Sequence, residues 1–206
     1  MDLPGTSSHG APSPGSSTRG KLLVATPPLE DPNFDRTVVY VLEHTDDGAV
    51  GVVLNRADEP AIALADEFDL DDLEAWADLL APPARIFLGG PVGDDSLIAL
   101  AETEPGTPRS DDAWGELTST LGTVDLSVAP VDVAGSLRRV RIFRGYAGWS
   151  PGQLEAELQI GAWMVFDTES DDLFTAEPIG LWRRVVRRQG GHLAWIADAP
   201  DDISAN

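Results

Sequence analysis

The chain has 206 residues, a net charge of −21 and no cysteine. The absence of cysteine excludes disulfides, thiolate metal sites, iron–sulfur clusters and a cysteine nucleophile. The acidity disfavours direct binding to nucleic acids and anionic membranes, whose phosphates attract basic proteins. No apolar run reaches the roughly 18–20 residues that cross a bilayer, and the N-terminus lacks the pattern of a secretory signal. These features predict a cytoplasmic protein.

Residues 1–20 differ in composition from the rest of the chain. Twelve of the twenty are glycine, proline or serine, so the segment cannot bury enough apolar surface to offset its ordering entropy. We predict a disordered tail over 1–20 and one globular domain over 21–206. Residues 15–21 match the start of a phosphate-binding loop, but Leu22 stands where the loop needs Ser or Thr. We interpret this match as chance.

The first half of the domain is predicted to begin with strands. Apolar or β-branched runs predict strands over 22–25, 37–43 and 49–54, and an Asp-Gly turn within 45–48 predicts that the second and third form a hairpin. Leucine and tryptophan then recur at three- and four-residue spacing, which predicts a helix over 69–80.

The second half mixes strands and helices. The patterns predict strands over 85–88, 96–101, 124–128, 139–144 and 162–166. A helix over 150–158 is predicted to start with Ser150 as N-cap and Gln153 completing a capping box. A helix over 178–188 is predicted to be buried through Ile179, Trp182 and Val186. Because strict βαβ alternation is missing, we predict an α+β fold, a single compact domain with a mixed β-sheet flanked by helices.

Two short motifs allow both a chemical and a structural interpretation. His44 follows Glu43, and a carboxylate–imidazole pair suits acid–base chemistry, although adjacent residues of a strand point to opposite faces. The alternative is a turn histidine that bonds to the backbone. Gly89-Gly90-Pro91 follows a predicted strand, and it is either a tight turn or a loop that approaches an anion. There is no metal-binding HExxH motif and no G-x-S-x-G elbow.

Residues 145–155 form the most distinctive segment. Tyr146 and Trp149 precede the predicted helix, whose N-terminus could bind an anion; alternatively, the aromatic side chains fill the core. Two groups of arginines complete the candidates, and each fits either a solvated face or a partner site. They are Arg183, Arg184, Arg187 and Arg188 on the last helix, and Arg138, Arg139, Arg141 and Arg144 on a strand.

Several of these segments together resemble the YqgE/AlgH family of bacterial proteins. The resemblance lies in 22–27, 31–40, the Glu43-His44 pair, 48–55, the Gly-Gly-Pro turn, 145–149 and 152–157, and it spans about 20–190. It implies a compact α/β structure in the cytosol, with no established cofactor and no assigned catalytic residue. Members are often labelled transcriptional regulators. The residues matched as a possible shared surface are Arg36, His44, Asn55, Tyr146, Trp149, Gln153 and Glu155.

Two functions follow as hypotheses. The first is a non-catalytic binding or regulatory module that contacts a protein or a small anionic ligand, without direct nucleic-acid binding and without a cofactor or metal. The second is an enzyme that acts on a small anionic substrate in a pocket formed by the loops around Arg36, His44 and Tyr146. An assembly protein that uses an exposed edge strand is a third possibility.

Overall fold

The computed structural model describes residues 17–27, 29, 31–60 and 73–197. In these residues ten strands build most of the structure, and they are β1 (Lys21–Ala25), β2 (Val38–Thr45), β3 (Gly48–Val53), β4 (Ala57–Pro60), β5 (Arg85–Leu88), β6 (Val92–Thr103), β7 (Trp114–Glu116), β8 (Leu121–Val124), β9 (Leu137–Trp149) and β10 (Trp163–Asp167). The α-helices are short, and they are α1 (Leu73–Trp76), α2 (Pro130–Val133), α3 (Gln153–Gln159), α4 (Ser170–Leu173), α5 (Leu181–Arg188) and α6 (Gly191–Ala197).

The strands join into one curled sheet with the order β10-β1-β2-β3-β9-β6-β8-β7. Neighbours along this order pair antiparallel, whereas β5 pairs with β9 in parallel and carries β4 on its other side. The sheet is therefore mixed but predominantly antiparallel. The predicted single domain with a mixed sheet and helices is confirmed, although the sheet makes up more of the structure than the sequence suggested. Within the described ranges, no helix is long and apolar enough to cross a membrane.

The central strands are buried on both faces. In β1, Leu22 and Val24 join a core that includes Trp182 of α5, whereas Leu23 and Ala25 join a second core that includes Leu154 of α3. Successive strand residues point to opposite faces, so burial on both sides requires continuous apolar runs. This explains why the strands lack the alternating pattern of a half-exposed sheet.

Most predicted strands are found close to their predicted bounds. The β2–β3 hairpin closes at Thr45 and Gly48 as expected, while β6 and β9 extend well beyond the predicted ranges. The strand predicted over 124–128 is wrong, because only Val124 belongs to a strand. The chain turns at Asp125, whose carboxylate accepts hydrogen bonds from the backbone N–H and the hydroxyl of Ser127.

The predicted helices are found near their predicted positions, but their lengths, caps and buried residues differ from the predictions. Of the helix predicted over 69–80, the structure describes α1 and a 3₁₀ turn at Ala77–Leu79, and 69–72 lie outside the described residues. Ser150 is not the N-cap of α3. Gly152 takes that position with a left-handed φ of 74°, and Gln153 accepts a hydrogen bond from the Ser150 N–H. Ile179 is 91% exposed and lies in a 3₁₀ turn before α5, so α5 is buried through Trp182 and Val186 and the prediction for Ile179 is wrong.

Residues 17–20, which the sequence assigns to the disordered tail, pack against the sheet. Thr18 is 2% exposed, and the Gly20 N–H donates to the Val41 carbonyl. We call this segment the N-terminal strap. The contacts of residues 17–20 argue against disorder in this part of the predicted tail. Residues 1–16 lie outside the described residues, so a disordered tail there stays a prediction.

Candidate functional site

His44 lies at the end of β2 and connects two other parts of the chain. Its Nε2 lies 2.8 Å from Oε1 of Glu155 in α3, and its Nδ1 lies 3.0 Å from the backbone nitrogen of Thr18. A β-bulge between Val41 and Glu43 shifts the register of β2. The Glu43 side chain is exposed, whereas the His44 side chain is 7% exposed. The sequence-based concern that Glu43 and His44 diverge is therefore correct, and the partner of His44 is Glu155.

The Glu155 carboxyl is tuned by its surroundings. A hydrogen bond from its own backbone N–H, followed by the bond from His44, lowers the pKa of Glu155, and partial desolvation opposes this shift. The side chain is 42% exposed, so solvent screens the pair. The two residues form an anchored ion-pair or hydrogen-bond contact between β2 and α3.

A second carboxylate of α3 fastens the aromatic side chains below the helix. Oε2 of Glu157 accepts hydrogen bonds from the indole N–H groups of Trp149 and Trp163, at 2.9 and 2.7 Å. Its other oxygen accepts from the Gln153 side chain. Phe34 stacks on Trp149 with ring centroids 6.3 Å apart and meets Trp163 edge-on. The indole groups therefore fill the core, and each indole N–H has the partner that burial requires.

Five of these residues lie on β2, β9 and α3, and we call them the motif cluster: His44, Trp149, Gln153, Glu155 and Glu157. Three of its members lie at alternating positions of α3, and the other two end β2 and β9. Because β9 continues to Trp149, the segment 145–149 is a strand and not the loop that the sequence suggested. The hydrogen bonds of these side chains join β2 and β9 to α3.

Tyr146 and the Gly-Gly-Pro turn meet on β9. Tyr146 is half-buried and pairs with Val92 at the start of β6. A β-carbon on Gly90 would lie 2.2 Å from the carbonyl carbon of Tyr146, so only glycine lets the two backbones approach this closely. The turn is therefore explained by backbone packing, and the anion-binding interpretation has no support from this geometry.

Arg36 and Asn55 are hydrogen-bonded to each other at the opposite end of β2. Asn55 accepts from the Val38 N–H and donates to the Arg36 carbonyl at 2.8 Å. Arg36 has a left-handed φ of 49°, and its guanidinium lies over the Trp182 ring, 5.2 Å from the centroid. The Asn55 bonds hold the chain in this uncommon conformation.

The proposed pocket of Arg36, His44 and Tyr146 is not assembled. Arg36 precedes β2 and His44 lies near its end, eight residues later, which corresponds to roughly 25 Å at about 3.3 Å per residue. Tyr146 lies on β9, two strands away from β2. The structure therefore brings together His44, Trp149, Gln153 and Glu155, and it places Arg36 with Asn55 elsewhere.

The arginine groups are engaged with acidic side chains and carbonyls. Arg188 bonds to the buried carboxylate of Asp172 at 2.8 Å, and Arg139 bonds to Glu102 at 2.8 Å. Arg183 donates to the Ala197 carbonyl. These contacts favour a structural role over a phosphate site. In the described part of the chain, no group of three or more acidic or histidine side chains is arranged to hold a metal ion.

Sequence reasoning missed Thr18, Phe34, Glu157 and Trp163. Thr18 lies in a segment whose composition suggests disorder, so its burial leaves no local signal. Glu157 lies four residues after Gln153, and this spacing places both on one face of a helix. That spacing was the available signal for the bond between them, whereas the two indole contacts depend on tertiary structure.

The arrangement defines a class of protein: a single domain with a curled, mainly antiparallel sheet whose motif residues bond to one another. The AlgH-like family model matches residues 22–194. A UPF0301 protein of Thermobifida fusca is 48% identical over 197 residues, covering 92% of this chain and 96% of that protein. A UPF0301 protein of Streptomyces avermitilis is 47% identical, covering 93% and 96%.

Two solved structures are also similar. A Corynebacterium diphtheriae protein matches with a TM-score of 0.78 and 27% identity, covering 91% of this chain and 95% of that one. The AlgH protein of Pseudomonas aeruginosa matches with a TM-score of 0.63 and 29% identity, covering 93% and 98%. The chain belongs to the AlgH-like family, and the resemblance inferred from its motifs is confirmed.

Proposed function

We propose that this chain is a cytoplasmic, non-catalytic binding or regulatory module that acts by contacting another protein. The observation that carries the proposal is that the polar groups of the motif cluster are hydrogen-bonded within the protein. His44 uses both ring nitrogens within the protein, and Glu157 accepts three hydrogen bonds. A general base or nucleophile must reach a substrate, and these groups are occupied in holding β2, β9 and α3 together.

The enzyme hypothesis loses support from the positions of its residues. A catalytic pocket needs the anion-binding group and the proton-transfer group on one substrate. Arg36 and His44 flank opposite ends of β2, and Arg36 lies over Trp182 rather than beside His44. We therefore favour the binding module over an enzyme for small anionic substrates.

A protein is the partner that the charge and the arginine contacts favour. The net charge of −21 opposes nucleic acid, and the arginines that could bind a small anion contact Asp172, Glu102 and a backbone carbonyl. A regulatory role, the label that family members often carry, would then be exerted through protein contacts.

The helix pair α5–α6 offers a surface for such contacts. Trp195 is 81% exposed and borders a shallow cavity of about 480 Å³ on α6. Ile179 is 91% exposed, just before α5. The bond between Arg183 and the Ala197 carbonyl places the end of α6 beside the start of α5, so both apolar side chains lie at the same end of the pair. Tryptophan is enriched at protein interfaces.

Affinity capture with matched variants tests the proposal. The full chain is immobilised and exposed to a lysate of the organism that encodes it. Variants are Ile179→Ser with Trp195→Ser, and as a control Val131→Ser, which changes a 76% exposed valine on α2. We expect a protein bound by the wild type and the control, with recovery reduced at least about tenfold by the double variant.

Two outcomes would contradict this expectation. Equal recovery by the double variant would exclude the α5–α6 surface. Failure to capture any specific protein, together with turnover of a phosphorylated or carboxylated metabolite that Arg36→Ala or His44→Ala abolishes, would restore the enzyme hypothesis.

A further inference from the structure

The N-terminal strap is held by bonds to two strands of the sheet, β2 and β7. Thr18 bonds to His44 through its backbone N–H and its hydroxyl, at 3.0 and 2.9 Å. Arg19 donates to the carbonyl of Leu42 in β2 and to that of Glu116 in β7. Because β7 lies at the far end of the sheet order from β2, the strap spans the gap between strands that the curled sheet brings close.

The strap contact defines the tautomer of His44. A backbone N–H can only donate, so the Nδ1 atom that faces the Thr18 nitrogen must be an unprotonated acceptor. The ring proton then resides on Nε2 and is donated to the Glu155 carboxylate at 2.8 Å. The observed arrangement therefore requires a neutral imidazole whose two nitrogens serve different partners.

Protonation of the imidazole would affect these two partners in opposite ways. A proton on Nδ1 would face the Thr18 N–H, and two donors cannot bond to each other. At the same time the positive charge would strengthen the contact with Glu155. We propose that His44 is a pH-sensitive latch, which holds the N-terminal strap when its ring is neutral and releases the Thr18 backbone when its ring is protonated, while the ring stays anchored to α3.

The charged side chains near the imidazole lie on α3, on the strap and on β2. On α3, the Glu155 carboxylate attracts a positive charge on the ring. From the strap, the Arg19 guanidinium is directed toward the carbonyls of Leu42 and Glu116. On β2, Glu43 is exposed and points to the opposite face, and the cross-strand partner of His44 on β3 is the uncharged Ala49. Imidazole is the side chain whose charge ordinarily changes between pH 5 and 8.

The Thr18 hydroxyl limits the size of the effect. It can accept the new Nδ1 proton, because a hydroxyl both donates and accepts, whereas the backbone N–H cannot. The strap therefore loses the hydrogen bond from the Thr18 backbone N–H and keeps the one between the Thr18 hydroxyl and the ring. We expect roughly a three- to tenfold loss of amide protection, as for the loss of one hydrogen bond.

Nuclear magnetic resonance of the full chain tests the latch in two ways. A long-range ¹H–¹⁵N spectrum at pH 7.5 should show the His44 proton on Nε2. Hydrogen exchange, corrected for the intrinsic pH dependence of amides, should show that protection at Thr18 falls between pH 7.5 and 5.5, while protection at Val39 in the core does not change.

Two variants keep the proposal falsifiable. In His44→Asn the side-chain oxygen can replace Nδ1 as the acceptor but cannot titrate, so strap protection should be equal at both pH values. Thr18→Ala keeps the amide and removes the hydroxyl, so the pH effect should increase. A proton on Nδ1 at pH 7.5, unchanged protection in the wild type, or the same pH effect in His44→Asn would each overturn the latch.

Discussion

The two halves of β9 differ in whether their buried polar groups have hydrogen-bond partners. At its C-terminal end, Trp149 donates to Glu157, which also serves Trp163 and Gln153. In its first half, Arg141 is 1% exposed, and its Nε and Nη1 atoms have no hydrogen-bond partner among the described residues. One strand thus carries both a satisfied polar network and a buried cation whose donors are largely unsatisfied.

The surroundings of Arg141 explain how it is tolerated. Its guanidinium lies 4.2 Å from the centroid of the Phe87 ring, and Nη2 donates to the Pro82 carbonyl at 2.6 Å. Desolvation, followed by repulsion from Arg139, lowers the pKa of Arg141 to about 10. A cation–π contact and one carbonyl replace only part of the lost hydration.

This difference shows that burial of polar groups has opposite effects on stability in the two regions. Where donors and acceptors match, as at Glu157, removing one partner leaves the other buried and unsatisfied, which is costly. Where they do not match, as at Arg141, replacement by an apolar side chain of similar size removes the cost of desolvation. Substitutions in the two regions should therefore change stability with opposite signs.

Trp149→Ala should give the largest effect, because it removes a side chain that is 6% exposed and contacts both Phe34 and Trp163. We expect the free energy of unfolding to fall by about 3–5 kcal/mol, measured by urea denaturation. The control is Trp195→Ala, which removes the same side chain from a position that is 81% exposed and should change stability by less than about 0.5 kcal/mol. Similar losses for both variants would contradict the assigned packing.

Glu157→Ala should follow, because it leaves two indole N–H groups without their acceptor. The expected loss is about 2–3 kcal/mol of unfolding free energy, from two unsatisfied and partly buried donors. Glu104→Ala is the matched control, since Glu104 pairs with Arg138 at the surface with 56% of its side chain exposed. Urea denaturation and near-UV circular dichroism of the tryptophans report the change. Equal stability of the two variants would mean that the Glu157 bonds contribute nothing.

Arg141→Met should raise the free energy of unfolding by about 1–3 kcal/mol, because methionine fills similar volume without a buried charge. Arg139→Met, two residues away, should lower it, since Arg139 pairs with Glu102, whose side chain is 11% exposed. Opposite signs on one strand are the outcome that tests the comparison. Destabilisation by both substitutions would mean that the Phe87 and Pro82 contacts compensate the buried charge fully.

The sequence predicts elements that have local signals and misses those that depend on tertiary pairing. Hairpin β2–β3 follows from β-branched runs and an Asp-Gly turn, which are local signals. The continuation of β9 through Gly145 to Trp149 was not predicted, because glycines weaken a strand pattern. There the pairing of Val92 with Tyr146 and of Ala49 with Trp149 supplies the order that composition does not.

The candidate site shows this limit more clearly. The family motifs suggested one surface of seven residues. The structure brings His44, Trp149, Gln153 and Glu155 together, whereas Arg36, Asn55 and Tyr146 lie elsewhere. Thr18, which bonds to His44, lies 26 residues before it in the chain, in a segment whose glycine and serine content predicts disorder. Only the folded sheet places Thr18 against His44, so neither the strap nor the unsatisfied donors of Arg141 had a local signature.

The pH dependence of the Glu155 contact should give the smallest effect. Since the pKa of Glu155 is lowered on folding, the bonds to its carboxylate stabilise the protein above the unfolded value of about 4.3 and are lost as the pH falls through the lower folded value. Because the side chain is 42% exposed, we expect less than about 1 kcal/mol.

Urea denaturation between pH 6 and 3 measures this effect by comparison with Glu155→Gln, which keeps a hydrogen-bonding side chain but cannot titrate. The stability of the wild type should decrease relative to the variant only below about pH 4.3. Glu43→Gln, on the exposed face of β2, controls for the loss of one negative charge from an acidic protein. Parallel curves for wild type and Glu155→Gln would show that the carboxylate gains nothing from His44 and its own backbone, and the anchoring of the ring to α3 would then rest on the histidine's packing alone.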